Sequence, residues 1–480
     1  MNEVTPFWVA GKPRVGTAVH EVHSPYDATL VGIHAEPTAE DVDEAVQAAV
    51  GAQPAALATT AAQRAEALMH VSNRITERAE EIARLITAEN GKPLMWSRVE
   101  VTRGASTFRW AAEEARRWSG EMQRLDTDPT SAGRMALIRR FPNGPVLGIA
   151  PFNFPLNLVA HKVAPALAVG APIIVKPAPA TPLTALLLGE LLAETDLPAG
   201  MWSVLPLANE QTAALVADPR LPVVSFTGSE TVGYHIQSDQ PTKHVVLELG
   251  GNAAAVVLAD WSTPEDLEWA ATRIATFGNY QAGQSCVSVQ RVLVDGSVYD
   301  RFVPLLVEKM NALTTGAPTE DGVQVGPVIN EAAAERIQSW IDDAVASGAT
   351  LLAGGTREGT TIAPTLLADA PPEAKVSCEE VFGPVMTVSR VDGVDAALAA
   401  VNDSRFGLQA GIFTSDLQVA FRAHRELLVG GVVIGDVPSF RADQMPYGGV
   451  KSSGLGREGL RAAMTDLTHD RVMVLTGLDL

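Results

Sequence analysis

Apolar strand candidates alternate with helical stretches between Val146 and Val257, and this alternation constrains the fold more than any other feature. In chain order the segments read PIIVKP, LTALLLGELLAET, PVVSFTGS and VVLELGG. Short apolar runs separated by helices are typical of parallel βαβ units in a doubly wound sheet. An α/β fold of this class binds ligands beyond the carboxyl ends of its strands, so we expect a nucleotide site there.

The rest of the 480-residue chain indicates more than one domain, because chains of this length form two or three compact units. Helical periodicity covers residues 37–117, and turn-rich, β-like sequence covers residues 127–150, with a turn at Asn143-Gly144 between two strand candidates. A second α/β domain follows, with helices predicted at residues 299–313, 330–346 and 394–401. The tail, residues 470–480, is an apolar strand that pairs either with its own domain or with another subunit.

Composition indicates the cellular compartment and disfavours some classes of binding partner. The formal net charge of −20 argues against a general nucleic-acid role, which needs a basic surface. The two cysteines, Cys286 and Cys378, suit a reducing cytoplasm better than a disulfide framework or a metal cluster. Residues 1–9 lack a signal-peptide pattern, and the apolar stretch 163–175 is short and interrupted by Pro and Gly. We therefore expect a cytoplasmic protein with no membrane segment and no metal.

The sharpest chemical feature is Cys286 in the segment FGNYQAGQSCVSVQRV. The small neighbours Gly283, Ser285 and Ser288 allow a substrate to approach closely, and a strand candidate follows at once. A thiolate at this position can attack a carbonyl carbon and hold the acyl group. The alternative is that Cys286 is a small buried apolar residue, as many single cysteines are.

Two polar residues beside strand candidates suit acyl chemistry. Glu248 ends the strand VVLELGG before a glycine pair, and a carboxylate with a raised pKa can serve as a general base. A structural salt bridge is the alternative for this residue. Asn153 lies in GIAPFNFPLNL, where its amide N–H can donate to an oxyanion or, so near a proline, simply form a turn.

Two further segments suggest a dinucleotide. Lys176 ends the strand PIIVKP and places a cation where a doubly wound fold binds ligands. Gly228 and Gly233 in FTGSETVG follow another strand and open a helix, although their spacing differs from GxGxxG. Ser229 is accordingly either a plain helix N-cap or a ligand contact.

Together these segments closely resemble the aldehyde dehydrogenase superfamily. The resemblance runs from about Val9 to the C-terminus and rests on the ordered set PFNFP, IIVKP, FTGS, ELGG, GQSC, EEVFGP and PYGGVKSSG. It implies a Rossmann-type cofactor domain (1–124 and 147–248), an α/β catalytic domain (249–455) and a β oligomerisation arm (125–146 and 465–480). The hairpin near Asn143 and the tail look like the parts of that arm, which implies a homodimer or homotetramer.

The same resemblance implies a role for each catalytic candidate. Cys286 looks like the nucleophile, Glu248 like the general base, and Asn153 with the Cys286 backbone N–H like the oxyanion hole. The implied reaction is NAD(P)-dependent oxidation of an aldehyde through a thioester, which water activated by Glu248 then hydrolyses. Each role is one that the chemistry of the side chain independently permits.

The implied cofactor, NAD or NADP, involves a larger set of residues. Lys176 resembles the residue that binds the adenosine ribose or its 2′-phosphate, and Ser229 the one that approaches the pyrophosphate. Pro179 stands where NAD-preferring relatives often carry a Glu that would repel a 2′-phosphate, so NADP is permitted. Glu380 and Phe382 look like contacts to the nicotinamide ribose and ring. The complete predicted set is Ala150, Pro151, Phe152, Lys176, Pro179, Gly228, Ser229, Gly233, Leu249, Glu380 and Phe382.

The predicted substrate pocket is basic and polar where relatives that use apolar aldehydes tend to be apolar or aromatic. Arginine suits a carboxylate, phosphate, phosphonate or sulfonate, which predicts a short anionic semialdehyde as the substrate. The alternative is that the arginines form structural ion pairs with acids such as Glu100 and Asp443. The predicted substrate contacts are Arg103, His161, Ser285 and Arg441.

Other functions stay open on the sequence. One is oxidation of a neutral short-chain or hydroxy aldehyde such as lactaldehyde. A coenzyme A-acylating enzyme is disfavoured by Glu248, which such relatives usually lack. A catalytically silent family member is disfavoured by the intact Cys286, Glu248 and Asn153. A Cys–His hydrolase would have to use His161 or His244, and neither lies in a recognised signature with Cys286.

Overall fold

The computed structural model describes residues 4–477 and 479. Residues 1–3 belong to the predicted segment 1–124 and to the stretch inspected for a signal peptide, and they lie outside the described residues. Residues 478 and 480, at the end of the predicted arm segment 465–480, lie outside them as well.

Two large sheets and four small ones contain the strands of the described chain. The strands are short, which is usual for α/β proteins. In chain order they are β1 (Val4–Thr5), β2 (Phe7–Val9), β3 (Lys12–Arg14), β4 (Val19–His23), β5 (Leu30–Ala35), β6 (Glu121–Arg124), β7 (Arg134–Pro142), β8 (Val146–Ile149), β9 (Ile173–Lys176), β10 (Trp202–Val204), β11 (Val223–Thr227), β12 (His244–Glu248), β13 (Ala253–Val257), β14 (Val289–Asp295), β15 (Thr350–Ala353), β16 (Arg357–Glu358), β17 (Thr361–Ile362), β18 (Thr365–Ala368), β19 (Val385–Val391), β20 (Phe406–Gly407), β21 (Gln409–Phe413), β22 (Gly431–Ile434), β23 (Val450–Lys451), β24 (Gly454–Leu455) and β25 (Thr468–Thr476).

The helices agree with the helical periodicity to within two residues where a boundary was predicted. Residues 37–117 hold four helices, and side-chain caps at Thr38 and Thr60 begin the first two. The α-helices are α1 (Ala39–Ala58), α2 (Ala61–Glu77), α3 (Ala79–Asn90), α4 (Leu94–Arg117), α5 (Asn157–Val169), α6 (Leu183–Ala193), α7 (Asn209–Ala217), α8 (Glu230–Asp239), α9 (Pro264–Asn279), α10 (Tyr299–Asn311), α11 (Glu331–Ala346), α12 (Lys375–Cys378), α13 (Gly393–Asn402), α14 (Leu417–Glu426) and α15 (Leu460–Asp466).

An eight-stranded sheet has the order β24-β12-β11-β8-β9-β10-β2-β3. Its inner strands β12, β11, β8, β9 and β10 are parallel, as the alternation predicted. They are almost entirely buried, because a parallel sheet is covered by helices on both faces. The chain runs outward from β8 through β9 to β10 and then resumes at β11 on the other side of β8. A crevice at such a switch in strand order, beyond the carboxyl ends, is where doubly wound sheets bind ligands.

A seven-stranded sheet has the order β15-β18-β19-β14-β13-β21-β22. Its strands are parallel except for β15, which pairs antiparallel with β18. Cys286 lies just before β14, one of the inner strands, so this sheet fixes the position of the thiol.

A three-stranded sheet is formed by β25, β7 and β6 in that order. The tail strand β25 pairs antiparallel with β7 from Thr468 to Thr476, so it returns to its own chain, which was one of the two alternatives. The prediction of a hairpin near Asn143 is wrong, because the strands on either side of it belong to different sheets. The hairpin is instead made by β6 and β7. At Asn143 the backbone N–H donates to the Leu467 carbonyl at 3.0 Å, and the chain crosses from one sheet into the other.

The short strand β24 crosses the predicted division of the chain. It lies within segment 249–455, yet it pairs antiparallel with β12 at the edge of the eight-stranded sheet. The segment from Tyr447 to Glu458 therefore returns to the end of β12, and the two residues also form a β-bridge with each other. This return delivers side chains from the far end of the sequence to Glu248. The division into cofactor domain, catalytic domain and arm stays a prediction.

Candidate active site

Cys286 follows a tight turn, Tyr280–Gly283, and precedes β14. Gln281 and Ala282 both have φ of 53°, a left-handed conformation that side-chain-bearing residues rarely adopt. A Cβ at Gly283 would collide with the Gly383 carbonyl, so the turn is pressed against a neighbouring loop. Backbone held in such conformations is frequent at functional sites.

Asn153 follows β8 and reaches this turn. Its Nδ2 donates to the carbonyl of Gln284 at 2.9 Å, and the Gln281 side chain donates back to the Asn153 carbonyl. The amide group has two N–H donors, so one stays available for a ligand near Cys286. The structure therefore brings Asn153 and the cysteine loop together, as the sequence predicted.

Glu248 ends β12 and is only 4% exposed. Within the described chain neither carboxyl oxygen has a hydrogen-bond partner, which contradicts the salt-bridge alternative. Burial, with a further contribution from the Glu458 charge, raises the pKa of Glu248 well above its ordinary value. A buried carboxyl without partners costs free energy, and such groups with perturbed pKa values are concentrated at functional sites.

Tyr447 connects the cysteine with the carboxyl group. Its hydroxyl lies 2.9 Å from the Cys286 Sγ, and the next residue, Gly448, abuts the Glu248 carboxyl so closely that a Cβ there would be 2.9 Å from Oε1. Burial raises the pKa of the Cys286 thiol to about 12, while the hydrogen bond with Tyr447 opposes the increase. Cys286, Asn153 and Glu248 therefore line one site.

Arg103 and His161 meet at one carboxylate, that of Asp443. The Arg103 Nη2 donates to Asp443 Oδ1 at 2.9 Å, and the His161 Nε2 lies 3.2 Å from the same oxygen. Burial alone would raise the pKa of Asp443, but the His161 hydrogen bond and the Arg103 charge bring this pKa below its ordinary value. Burial, together with the nearby Arg441 charge, lowers the pKa of His161, which favours the neutral ring.

Arg441 completes the group of basic residues, but it pairs with neither Glu100 nor Asp443. Its Nη2 donates to Glu458 Oε2 at 3.0 Å, and the guanidinium lies over the Tyr447 ring, 3.9 Å from the centroid. The Lys162 Nζ lies 3.5 Å from the other Glu458 oxygen. Both arginines therefore form ion pairs, as the alternative interpretation predicted. Arg103 pairs with Asp443, one of the two acids named, whereas Arg441 pairs with Glu458, which was not named.

Ser285, the fourth predicted substrate contact, is occupied by a neighbour. Its Oγ accepts a hydrogen bond of 2.8 Å from the Tyr280 hydroxyl, and it is 5% exposed. Burial raises the pKa of Tyr280 to about 12, so this phenol stays protonated and donates.

The predicted cofactor residues collect at the carboxyl edge of the eight-stranded sheet. Lys176, at the end of β9, donates to Asn209 Oδ1 at 3.0 Å, and burial lowers its pKa to about 8. Ser229 occupies the N-cap position of α8, but its side chain makes no capping bond to the described helix. The others follow β8, β9, β11 and β12 or lie in the first turn of α8, namely Ala150, Pro151, Phe152, Pro179, Gly228, Gly233 and Leu249.

Glu380 and Phe382 reach the same edge from the seven-stranded sheet. The Glu380 Oε1 accepts a hydrogen bond of 2.9 Å from the Gly251 backbone N–H, and burial raises the pKa of this carboxyl to about 7. The Phe382 ring packs edge-on against Phe152, with centroids 5.8 Å apart, and Phe382 itself has φ of 50°. Side chains from both large sheets therefore meet at this edge.

Comparison with known proteins decides the family. The model of the aldehyde dehydrogenase family matches residues 8–473. The chain belongs to the aldehyde dehydrogenase family. The resemblance read from the motifs is thereby confirmed, and so is the α/β fold class of this family.

Similar aldehyde dehydrogenases cover nearly the whole chain. The 3-sulfolactaldehyde dehydrogenase of Priestia aryabhattai is 41% identical over 439 residues, which is 91% of either chain. The structure of aldehyde dehydrogenase 21 from Physcomitrella patens, in complex with the reaction product succinate, has a TM-score of 0.97 at 41% identity and covers 100% of this chain and 99% of that chain. The NADP-dependent glyceraldehyde-3-phosphate dehydrogenase from Bacillus halodurans, complexed with NADP, has a TM-score of 0.93 at 36% identity and covers 99% of this chain and 100% of that chain.

This aldehyde dehydrogenase is an NAD(P)-dependent oxidoreductase, as the sequence predicted. No helix in the described ranges is both long and apolar enough to cross a membrane. Across residues 4–477 and 479, no cluster of three or more His, Cys, Asp or Glu side chains is arranged to hold a metal ion.

Several residues of the aldehyde dehydrogenase site were not identified from the sequence. Tyr447 lies six residues after the predicted Arg441, and no role was predicted for it, while Asp443 was predicted only as an alternative ion-pair partner of the arginines. Lys162 and Glu458 are buried charges in otherwise ordinary segments. Buried ionisable residues need partners, but the sequence does not indicate which residues lie near them.

Proposed function

We propose that this aldehyde dehydrogenase oxidises a short aldehyde with an anionic group to its carboxylic acid, through a thioester on Cys286. The observation that carries the proposal is that Arg103 and Arg441 both contact residues of the segment 443–447, whose Tyr447 lies against the cysteine. Arg441 covers the ring of Tyr447, and the Tyr447 hydroxyl touches the sulfur. A single aromatic side chain thus separates the guanidinium from the sulfur, which favours a short substrate.

The charges around the pocket support an anionic substrate. The cations Arg103, Arg441 and Lys162 lie around this pocket, where Asp443 pairs with Arg103 and Glu458 pairs with Arg441 and Lys162. In each arginine the Nη2 donates to the carboxylate partner. The Nε atoms of both arginines are buried and have no hydrogen-bond partner in the described chain. A guanidinium offers five N–H donors, so both arginines retain donors for a ligand.

The similar proteins support the class of substrate rather than one compound. Their names and ligands include a sulfonate, in sulfolactaldehyde, a carboxylate, in succinate, and a phosphate, in glyceraldehyde 3-phosphate. Planar or tetrahedral oxyanions all suit arginine. A neutral hydroxy aldehyde such as lactaldehyde is the second candidate, and it has no anionic group for the free donors of the two arginines.

The crevice at the carboxyl edge fits a dinucleotide. The Ser229 side chain is open at the N-terminus of α8, where anions are favoured by the helix dipole and free backbone N–H groups. Lys176 supplies a cation at the end of β9, on the same edge of the sheet, and the exposed Pro179 adds no negative charge, so we propose that NADP is accepted as well as NAD. When bound, the cofactor accepts a hydride from the substrate carbon.

We propose that Cys286 and Asn153 act in the first half of the reaction. The sulfur adds to the aldehyde carbon, and the carbonyl oxygen becomes an oxyanion. The free N–H of the Asn153 amide and the Cys286 backbone N–H donate to this oxyanion, which lowers the barrier because the donors are already in place. After the hydride leaves the carbon, the acyl group is held as a thioester on Cys286.

Glu248 is proposed to act in the second half. A water molecule must lose a proton as it attacks the thioester carbon, and Glu248 is a carboxyl whose oxygens are unengaged in the described chain. Its raised pKa makes it a better proton acceptor than an ordinary carboxylate once it is ionised. Hydrolysis then releases the acid and the free thiol. Because Cys286 must remain a free thiol, we propose a reducing compartment, the cytoplasm.

Replacing Arg103 with Gln tests the anionic substrate. We expect kcat/KM for succinate semialdehyde or phosphonoacetaldehyde to fall by roughly 10- to 100-fold, the value of a hydrogen bond to a charged group, with propionaldehyde unchanged. The measurement is formation of reduced nicotinamide with each aldehyde and with NAD or NADP. Arg109→Gln is the matched control, because Arg109 is an exposed arginine of the same helix. The proposal fails if the unmodified enzyme oxidises neutral aldehydes as efficiently as anionic ones.

We also propose that the enzyme is a homo-oligomer that uses the free edge of β25. This edge strand exposes Val472, Met473 and Val474, each about half exposed in the single chain. An apolar edge strand with unpaired backbone groups is a site for strand pairing with a second copy.

The mass of the enzyme in solution checks this assembly. We expect a dimer or tetramer by light scattering at micromolar concentration, and a shift toward monomer for Val474→Asp, because a charge at the paired edge is not solvated. Val345→Asp, at an exposed valine of α11, should leave the mass unchanged. A monomeric unmodified enzyme would contradict the proposal.

A further inference from the structure

We propose that Tyr447 is a catalytic hydrogen-bond donor that stabilises the thiolate of Cys286. Its hydroxyl oxygen lies 2.9 Å from the Sγ, a short distance for a bond to sulfur. This contact joins two residues that are 161 positions apart in the chain. Among the described residues, Tyr447 is the one hydrogen-bond partner of the Cys286 side chain.

Tyr447 is held in place by its backbone and its packing. Its backbone N–H donates to the Glu458 carbonyl at 2.9 Å, and the Glu458 N–H donates back at 2.7 Å. The side chain is 4% exposed and packs with Val287 and Leu408 against Cys286. A donor that is already oriented loses little conformational entropy when the negative charge forms on the sulfur. Its favourable interaction with that charge is therefore retained in full.

Arg441 makes Tyr447 a stronger donor. The guanidinium lies 3.9 Å from the centroid of the phenol ring and is itself held by Glu458. A cation over the ring face attracts ring electrons, which increases the positive charge on the hydroxyl hydrogen. Arg441 thereby has a second role besides the proposed contact to the anionic group of the substrate.

The charged groups that face Cys286 do not by themselves stabilise its thiolate, so a hydrogen-bond donor is needed. The Glu380 and Glu248 carboxyl groups face the sulfur and oppose a negative charge on it, while the Arg441 guanidinium favours that charge. Burial raises the pKa of Cys286 to about 12, so the reactive thiolate is costly without support. Burial also raises the pKa of Tyr447 well above its ordinary value, so its hydroxyl keeps its proton. The thiol proton passes to solvent water, and the Tyr447 O–H bond stays intact.

This role rests on the proposed function, because Tyr447 acts on the nucleophile. The two can fail separately. The thioester mechanism is tested by oxidation of aldehyde in Cys286→Ala, whereas the hydrogen bond is tested by the reactivity of the thiol without any substrate.

The test is the rate of Cys286 alkylation by iodoacetamide as a function of pH in the full-length enzyme. A Cys378→Ser background removes the second, exposed thiol. Below the thiol pKa the rate is proportional to the thiolate fraction. Tyr447→Phe removes the hydrogen bond to the thiolate, and we expect the pKa of Cys286 to rise by about one to two pH units. The alkylation rate at fixed pH should then fall roughly 10- to 100-fold.

Tyr280→Phe is the matched control, because it removes a buried hydroxyl that contacts Ser285 and not the sulfur. Its alkylation rate should match that of the parent. The proposal is overturned if Tyr447→Phe alkylates as fast as the parent, or if both variants slow equally. If Tyr447→Phe does not fold, 3-fluorotyrosine incorporated at position 447 supplies a more acidic donor of nearly the same size. Alkylation must then be faster than in the parent, and an unchanged rate overturns the proposal.

Discussion

Cys286→Ala is expected to abolish aldehyde oxidation, with kcat falling on the order of 10⁴-fold or more while cofactor binding is retained. Without the sulfur no covalent bond to the substrate forms, and the carbon cannot lose its hydride from a tetrahedral adduct. The effect should be this large because Asn153 and Glu248 act on species that exist only after the thiol has added. Removing the first member of such a set costs about as much as removing all of them.

The measurement is reduced nicotinamide formed per enzyme, together with a fluorescence titration of the cofactor. Alanine leaves the backbone N–H of position 286 in place, so the variant removes the nucleophile and keeps this oxyanion donor. Cys378→Ala is the control, because Cys378 is exposed and has no proposed part in the reaction. Full activity in Cys286→Ala would refute the thioester mechanism.

Glu248→Gln is expected to separate the two halves of the reaction. Oxidation of the first substrate molecule should proceed, but hydrolysis of the thioester should slow by about 10²- to 10⁴-fold, the usual contribution of a general base. The expected result is a burst of one reduced nicotinamide per active site, followed by a slow steady state. Mass spectrometry of the quenched enzyme should find the acyl group on Cys286. Absence of both burst and acyl adduct would mean that Glu248 is needed before hydride transfer.

Stability provides an independent check on the same variant. The pKa of Glu248 is raised in the folded protein, so the carboxyl stabilises the fold below its unfolded pKa and this contribution is lost as the pH rises through the folded pKa. Glutamine stays neutral at every pH. Glu248→Gln should therefore melt no lower than the parent at pH 8, and its advantage should disappear at acid pH. Glu335→Gln, at an exposed position of α11, should show no such pH dependence.

The cysteine, the carboxylate and the asparagine could be found from the sequence because each lies in a short segment with its own chemical character. Cys286 sits among small residues, Glu248 ends an apolar strand, and Asn153 follows another. Parallel strands place their carboxyl ends on one edge, so the order of the segments also predicted that the cofactor residues lie together. The helices α10, α11 and α13 agree with their predicted ranges to within two residues, since periodicity reports the local burial of one face.

Contacts between distant loops could not be found in this way. Asn143-Gly144 has the composition of a hairpin turn, but β7 pairs with β6 and β25, and β8 belongs to the eight-stranded sheet. For Arg441, predicted as a substrate contact, the alternative was an ion pair with Glu100 or Asp443, but its partner is Glu458, in the segment that β24 brings back to β12. Likewise nothing in PYGG indicates that the Tyr447 hydroxyl touches a sulfur.

The sequence by itself determined the α/β class, the family and the residue types available for acyl chemistry, because these depend on local pattern and on ordered motifs. Only the tertiary structure decided which charges face one another around Asp443 and Glu458, and which donor meets the thiol. The physical reason is that a side chain acquires its partner and its pKa from burial and from neighbours remote in the chain, and these neighbours are set when the two large sheets and the returning segment pack together.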